Sequence, residues 1–330
     1  MRDKLSALLQ QLNHGLIGRE ETLRTALLTL LAGENLLLIG PPGTGKSLLA
    51  RRISQALAQP QQGSAYFEYL LTKFSTPEEL FGPLSISALK QDRFHRQTQG
   101  YLPTVQVAFL DEIFKASSSI LNALLTVLNE RKYHNGTSTE DIPLQTLVAA
   151  SNELPLGQAE LAALYDRFLL RCFVGYVGAQ ERAELFDLPA AATVEPQNRL
   201  NSKELNRLRK AAAKIIFPEN VRQMVLDIWQ AHQQAFKEDA DEQLSDRRMV
   251  KALHLLRVSA ASNERQEVDF SDLLLLKDCL WNHEANRAKV LELIRGVLRT
   301  PRLLSVNEQK FNSLLLEKQC RHNLWLAGQA

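Results

Sequence analysis

The sequence predicts an α/β doubly wound parallel-sheet core followed by an all-α domain, and three observations lead there. Short apolar runs at 36–39, 105–110, 146–150 and 168–174 show no polar alternation, as expected of strands buried on both faces of a parallel sheet. Helical or polar sequence separates them, which is the βα order of a doubly wound fold. After about Val177 such runs stop, and helical spacing of apolar residues takes over.

The elements follow in order. Leu5, Leu8, Leu9 and Leu12 share one helical face; Leu23, Ala26, Leu27, Leu30 and Leu31 repeat the pattern after Gly18. Two helices are therefore expected before the first strand. Pro189, Ala190 to Ala192, Pro196 and Asn198 read as a linker. Helices are then expected over 203–215, 218–236, 246–262, 270–282 and 284–298, with Pro218 and Pro301 as punctuation. From Thr300 onward an amphipathic stretch gathers around Leu303, Phe311, Leu314 and Leu315. The division expected is a core over 1–187, a linker over 188–198, a helical domain over 199–285 and an extension over 286–330.

Composition narrows the function classes. Of 330 residues, 45% are hydrophobic, and 39 basic against 37 acidic side chains leave a net charge of +2, which argues against disorder and a polyanion-coated surface. Three cysteines, Cys172, Cys279 and Cys320, form no paired spacing, so neither a disulfide framework nor a zinc site is expected. The chain opens Met1-Arg2-Asp3-Lys4 and its first apolar group stops at Gln10, too short for a signal-peptide core. No apolar run approaches the length of a membrane span. A reducing, cytoplasmic compartment and no direct membrane insertion are expected.

The segment GPPGTGKS, at Gly40, Pro41, Pro42, Gly43, Thr44, Gly45, Lys46 and Ser47, fits the phosphate-loop pattern of Gly, four residues, Gly, Lys and a hydroxyl residue. It follows a buried strand and opens a helix through Leu48, so backbone N–H groups at the helix start can face a polyphosphate. Glycine is needed because the backbone must bend and approach closely. In that setting Lys46 would neutralise the β- and γ-phosphates of ATP, and the Ser47 hydroxyl would coordinate Mg²⁺.

VAFLDE, at 107–112, ends a buried strand in two carboxylates. Asp111 is a candidate for the magnesium shell, and Glu112 for the base that deprotonates attacking water, an acid that hydrolysis needs and simple phosphate transfer does not. Asn152 follows the strand at 146–150 and places an amide at the same carboxyl edge. Arg167 and Arg171 flank the start of the last apolar strand; Arg167 is a candidate arginine finger, and a second interface role for Arg171 is left open. No Asn-Lys-x-Asp tetrapeptide follows the loop to select guanine, so ATP, with ADP as product, is the expected nucleotide.

This ordered set resembles the AAA+ ATPases, and within them the MoxR family, in particular its RavA-like branch. The resemblance rests on GPPGTGKS, on FSTPEELFGPLS at 74–85, on FLDEIFKASSSILNALLTVLNER at 109–131, and on LVAASNELP at 147–155. LYDRFLLR at 164–171 and SDRR at 245–248 extend it. It covers the chain from near Gly15 to about Trp281. It implies an α/β core with a helical lid, a ring-shaped homo-hexamer, and ATP bound between subunits. By the same resemblance Lys46 and Ser47 are Walker A, Asp111 and Glu112 Walker B, Asn152 sensor 1 and Arg167 the finger acting in trans. In SDRR, where Asp246 stands for a more usual proline, Arg247 is the sensor 2 candidate that the resemblance implies, with Arg248 the alternative. Gly15 to Gly18 resemble the segment that frames the adenine. A von Willebrand factor A domain protein is the partner the resemblance implies, alongside a protein client.

Asn135-Gly136 signals a hairpin within 133–142, resembling the one that lines the pore in this clade. Residues 74–101 resemble its helix 2 insertion, with Phe94, Tyr101 and Tyr133 as candidates for client contact. Lys203, Arg207, Arg209, Lys210 and Lys214 make one basic helix, read as a solvated face because no aromatic residue is interleaved; a nucleic-acid partner is not expected. The leading reading is an ATPase that remodels a protein partner. An ATP-gated assembly scaffold and a DNA-directed motor are the alternatives.

Overall fold

The computed structural model describes residues 1–60, 64–155, 159–188 and 194–299. The expected tail around Leu303, Phe311, Leu314 and Leu315, with Pro301 and Cys320, lies outside the described residues, as do Pro189 and Ala190 to Ala192 of the expected linker.

In chain order the elements are α1 (Arg2–Asn13), α2 (Glu20–Ala32), β1 (Leu36–Ile39), α3 (Lys46–Gln55), β2 (Tyr66–Leu70), α4 (Pro77–Phe81), α5 (Ile86–Leu89), β3 (Val107–Asp111) and α6 (Ser118–Glu130). Next come β4 (Lys132–Asn135), β5 (Ser138–Asp141), β6 (Thr146–Ser151), α7 (Ala159–Tyr165) and β7 (Leu170–Phe173). The second half carries α8 (Ser202–Ala212), α9 (Glu219–Ala235), α10 (Asp246–Ser262), a 3₁₀ segment (Phe270–Asp278) and α11 (Arg287–Leu298). Tertiary contacts divide the described residues into two units: those within 11–201, and residues 1–10 together with 202–299. Local bonds account for the placement of the N-terminus, since the Met1 amine pairs with Glu264 at 2.8 Å and Lys4 Nζ with Glu204 at 2.6 Å.

The first unit is built on a parallel five-stranded sheet in the order β2-β3-β6-β1-β7. Every residue of β1 and β6 is buried, which explains why both read as unbroken apolar runs. The expected strand at 105–110 begins at Val107 instead, because Leu102–Thr104 form a 3₁₀ turn that Val105 closes. Strand β2 escaped the sequence reading. It sits at the sheet edge, half-exposed, with Glu68 between aromatic residues, so it offers no apolar run. The predicted hairpin is present as β4 and β5, paired antiparallel with Asn135 opposite Ser138. Its turn is fastened to the segment before β3: the Asn135 amide accepts from the Arg96 N–H at 2.7 Å and donates to the Arg96 carbonyl at 3.1 Å. Gly136 lies so close to Phe94 that an added Cβ would stand 1.7 Å from its carbonyl oxygen.

The second unit buries Trp281, Leu255, Leu256, Ile228 and Ile294. Its buried acids are saturated with donors. Asp272 accepts from both Arg265 Nη atoms at 2.7 and 2.6 Å and from Ser259 Oγ at 2.7 Å; Glu242, fully buried, accepts from the N–H groups of Asn282 and His283 at 2.5 and 2.9 Å. A buried carboxylate survives only with such partners. The helix expected over 270–282 is a 3₁₀ segment ending at Asp278. Leu273 and Leu276, three residues apart, then fall on one buried face, as the tighter winding requires. Lys203, Arg207 and Lys210 of α8 are exposed, while Leu205, Leu208 and Ala212 point inward, so the basic stretch is an outer face. Among the described residues no helix is long and apolar enough to cross a membrane.

His232 gives this unit a pH dependence. It is 2% exposed, and its Nε2 lies 2.8 Å from the Leu280 carbonyl, so a neutral ring donates there. Burial, the largest influence, holds its pKa below the ordinary value. A lowered folded pKa favours the neutral ring, so its stabilisation is complete above the unfolded value of about 6.5 and is lost as pH falls toward the folded pKa. The urea midpoint followed by tryptophan fluorescence is expected to be lower at pH 5.5 than at pH 7.5. His232→Gln, which can still donate to Leu280, is expected to narrow that difference.

Candidate active site

Because β1, β3 and β6 run parallel and in register, their carboxyl ends deliver the glycine loop, Asp111 with Glu112, and Asn152 to one edge of the sheet. Pro42, Gly43, Thr44, Gly45, Lys46, Ser47, Asp111, Glu112 and Asn152 line one cleft of about 180 Å³ there. Gly43 and Gly45 take φ of 75° and 84°, and a Cβ added to either would meet no atom within 4 Å. The left-handed backbone therefore demands glycine, and the space a side chain would fill is left open beside the cleft.

Lys46 opens α3. Its Nζ donates to the Gly40 carbonyl at 2.6 Å, the Pro41 carbonyl at 2.9 Å and Asn152 Oδ1 at 3.0 Å. Burial lowers its pKa, opposed by the Asp111 and Glu112 carboxylates. The amide of Asn152 in turn donates from Nδ2 to Glu112 Oε1 at 2.5 Å, and Lys115 Nζ stands 3.3 Å from Glu112 Oε2. One chain of contacts thus joins the lysine of the loop to the candidate base through the candidate sensor. Glu112 holds a left-handed φ of 53°, the tight corner by which the chain leaves β3. Asp111 accepts from the Glu112 N–H at 3.0 Å; burial, then the neighbouring carboxylate of Glu112, raises its pKa. Leu48 is 39% exposed and outside the cleft lining.

This donor set fits a magnesium-bound polyphosphate. Ser47 and Asp111 offer hard oxygens suited to Mg²⁺, and Lys46 with the start of α3 offers positive charge. Lys46 now rests on carbonyls of its own loop, interactions that phosphate oxygens can replace.

Other predicted residues lie elsewhere. Arg167 precedes β7, and its carbonyl accepts from Asn35 Nδ2 beside the start of β1, which puts it at the amino edge of the sheet. It is 9% exposed, its Nη1 is 3.9 Å from Asp166 Oδ2, and Nε and Nη1 make no hydrogen bond. Arg171 is fully buried, with its guanidinium 3.6 Å from the centre of the Tyr165 ring and hydrogen bonds to the Phe168 and Tyr165 carbonyls, so it is a packing residue and not a surface arginine. Arg247 belongs to the second unit and is exposed on the first turn of α10; Arg248 is buried and donates to Asn282 Oδ1 at 2.6 Å. Of the candidate client aromatics, Tyr133 is buried against Phe81, with ring centres 5.3 Å apart, while Phe94 is 53% exposed. The sequence reading missed Lys115, signalled only by its spacing of three from Glu112, and Arg19, signalled only by standing after Gly18.

A model of the MoxR domain in MoxR-vWA-beta-propeller ternary systems matches residues 3–213, and an AAA lid domain model matches residues 221–294. Two uncharacterized proteins of Methanocaldococcus jannaschii are similar. MJ0079 is 41% identical over 281 residues, covering 84% of this chain and 70% of its own; MJ0812 is 39% identical over 288 residues, covering 87% and 74%. The crystal structure of a Cytophaga hutchinsonii protein, provisionally assigned as an ATPase, superposes with a TM-score of 0.69 over 92% of this chain and 95% of its own; at 17% identity it supports the fold alone.

The raised pKa of Asp111 means that its charge is held at a cost in the folded, ligand-free chain. Asp111→Asn is therefore expected to raise the thermal midpoint at pH 7.5 by roughly 1–3 °C. The gap should narrow as pH falls through the folded Asp111 pKa and close below the unfolded value of about 3.9, where the carboxyl is neutral in both states. Differential scanning calorimetry at the two pH values checks both parts.

Proposed function

The chain belongs to the MoxR family of AAA+ ATPases, and from that premise we propose that it hydrolyses ATP at subunit interfaces of a homo-hexameric ring to remodel a protein partner. The observation that carries the proposal is the convergence of Lys46, Ser47, Asp111, Glu112 and Asn152 on one cleft.

Each residue has one task. Lys46 exchanges the Gly40 and Pro41 carbonyls for β- and γ-phosphate oxygens. Ser47 and Asp111 hold Mg²⁺, which when bound neutralises charge on the phosphates. Glu112 takes a proton from the attacking water, and Asn152 fixes the carboxylate that does so, through the contact already present at 2.5 Å. Arg167 stands a strand length, about 13 Å, from the carboxyl edge of its own sheet, so it serves the site of a neighbouring subunit. Its unpartnered guanidinium nitrogens favour that assignment. For sensor 2 the reading takes Arg247, exposed on the first turn of α10, over Arg248, which is buried and donates to Asn282.

The partner we propose is a von Willebrand factor A domain protein, on the ground that the matching model describes MoxR domains of such systems. Placement in the RavA-like branch rests on the motifs at 74–85 and 152–155 alone. The proposed setting is cytoplasmic.

Colorimetric phosphate release tests the hydrolytic roles. Lys46→Ala is expected to lose nucleotide binding; Glu112→Gln is expected to keep it while turnover falls about 10² to 10⁴-fold. Wild-type protein that left magnesium-ATP intact at every concentration would end the hydrolytic reading. Specific activity is further expected to rise with protein concentration, and to fall disproportionately when Arg167→Ala is mixed into wild type. Proportional dilution would exclude a shared site.

A further inference from the structure

Arg19, placed just before α2, has no role in the scheme above, yet its guanidinium joins three separate segments through their backbone. Nε donates to the Thr44 carbonyl at 3.1 Å, Nη1 to the Gly18 carbonyl at 3.0 Å and Nη2 to the Gly175 carbonyl at 2.6 Å. Thr44 lies within the glycine loop, and Gly175 is the second residue after β7. Burial lowers the Arg19 pKa, while the Glu181 carboxylate works to raise it, so Glu181 helps to keep the charge in place. Three acceptors met by three different nitrogens suit a planar fork, whose donors are spread over a wider span than those of a single ammonium nitrogen.

The consequence for the loop is geometric. The Thr44–Gly45 peptide is planar, and in a trans peptide the carbonyl and the following N–H point in opposite directions. Fixing the Thr44 oxygen on Arg19 therefore fixes the direction of the Gly45 N–H. Gly45 has no side chain to hold it, takes φ of 84°, and lines the cleft. Among the described residues the N–H groups of Gly43 and Gly45 make no backbone hydrogen bond, as donors kept for a ligand would. A loop of this kind has many conformations to lose on binding.

We propose that Arg19 is a positioning residue for the nucleotide: it anchors the Thr44–Gly45 peptide so that the loop presents its N–H groups to the polyphosphate before the ligand arrives. It touches no phosphate itself and acts through the loop. The inference rests on the reading of the cleft as a nucleotide site. It predicts weaker binding of ADP and ATP alike, with KM rising by a larger factor than kcat falls.

The test is a fluorescence titration of the full chain with N-methylanthraniloyl-ADP, using wild type, Arg19→Lys, Arg19→Ala and Lys46→Ala. Both Arg19 variants are expected to raise the Kd about tenfold, the scale of one lost charge-assisted hydrogen bond. Millimolar guanidinium ion, added to Arg19→Ala, is expected to restore much of the affinity, which a general loss of stability would not allow. The proposal is overturned if both Arg19 variants bind like wild type while Lys46→Ala does not, or if folded Arg19→Ala binds weakly and guanidinium restores nothing. Should Arg19→Ala not fold, Arg19→Lys decides by its Kd. Wild type that binds no better than Lys46→Ala would overturn the nucleotide-site reading, and this inference with it.

Discussion

The candidate site depends on the parallel register of three adjacent strands. With β1 between β6 and β7, and β3 on the far side of β6, every strand ends at the same edge, and the turn after each is free to carry chemistry. Leu38 aligns with Ala150 and Leu110 with Ala149, so the glycine loop, the carboxylate pair and Asn152 emerge at one level. A register slip of one residue would turn each side chain to the other face and separate Lys46 from Asn152. Complete burial of β1 and β6 specifies that register, since any shift would have to accommodate new side chains on both packed faces. Precision at the site is thus a by-product of packing several residues away.

Within that frame the cleft is electrostatically incomplete. An ammonium and two carboxylates share a half-buried space, and burial acts against the charge of both Lys46 and Asp111. The chain manages this at rest by pairing. Lys46 leans on carbonyls and on Asn152, and Glu112 is held between Asn152 and Lys115. The Lys46 contacts to the Gly40 and Pro41 carbonyls are replaceable, because a polyphosphate oxygen can stand in for either acceptor. Stability given up at such a place is a usual companion of binding function.

What the sequence made legible follows from the same physics. Strands buried on both faces announce themselves as apolar runs, and a loop that must bend around phosphate needs glycines at fixed offsets, so β1, β6, Lys46 and Asp111 could be placed from residues alone. Strand β2 could not, because an edge strand with Glu68 at its centre satisfies only half of the burial that makes a strand visible. The 3₁₀ segment at Phe270–Asp278 read as α-helix because a run of four leucines fits either winding. Arg19 and Lys115 were hidden for a different reason. Their partners are backbone carbonyls or a carboxylate that the fold brings near, and no spacing in the chain records a hydrogen bond to a carbonyl 156 residues away.

The two edges of the sheet finally divide the arginines by what they can do. At the carboxyl edge Arg19 is spent on carbonyls, where a fixed fork stiffens the loop that must receive a ligand. At the amino edge Arg167 is nearly buried, yet two of its nitrogens make no hydrogen bond, and Asp166 at 3.9 Å is a loose partner. Desolvating a guanidinium without satisfying it costs free energy that the isolated chain does not recover. Such a cost is tolerable when an acceptor from outside the chain supplies the missing bonds, and an anionic group is the acceptor best matched to that fork. Arg171, four residues on, is fully buried as well, but it stacks on Tyr165 and donates to two carbonyls. Arg167, just before β7, is thus unsatisfied where Arg171 on the strand is satisfied, and the two differ in their partners more than in their burial.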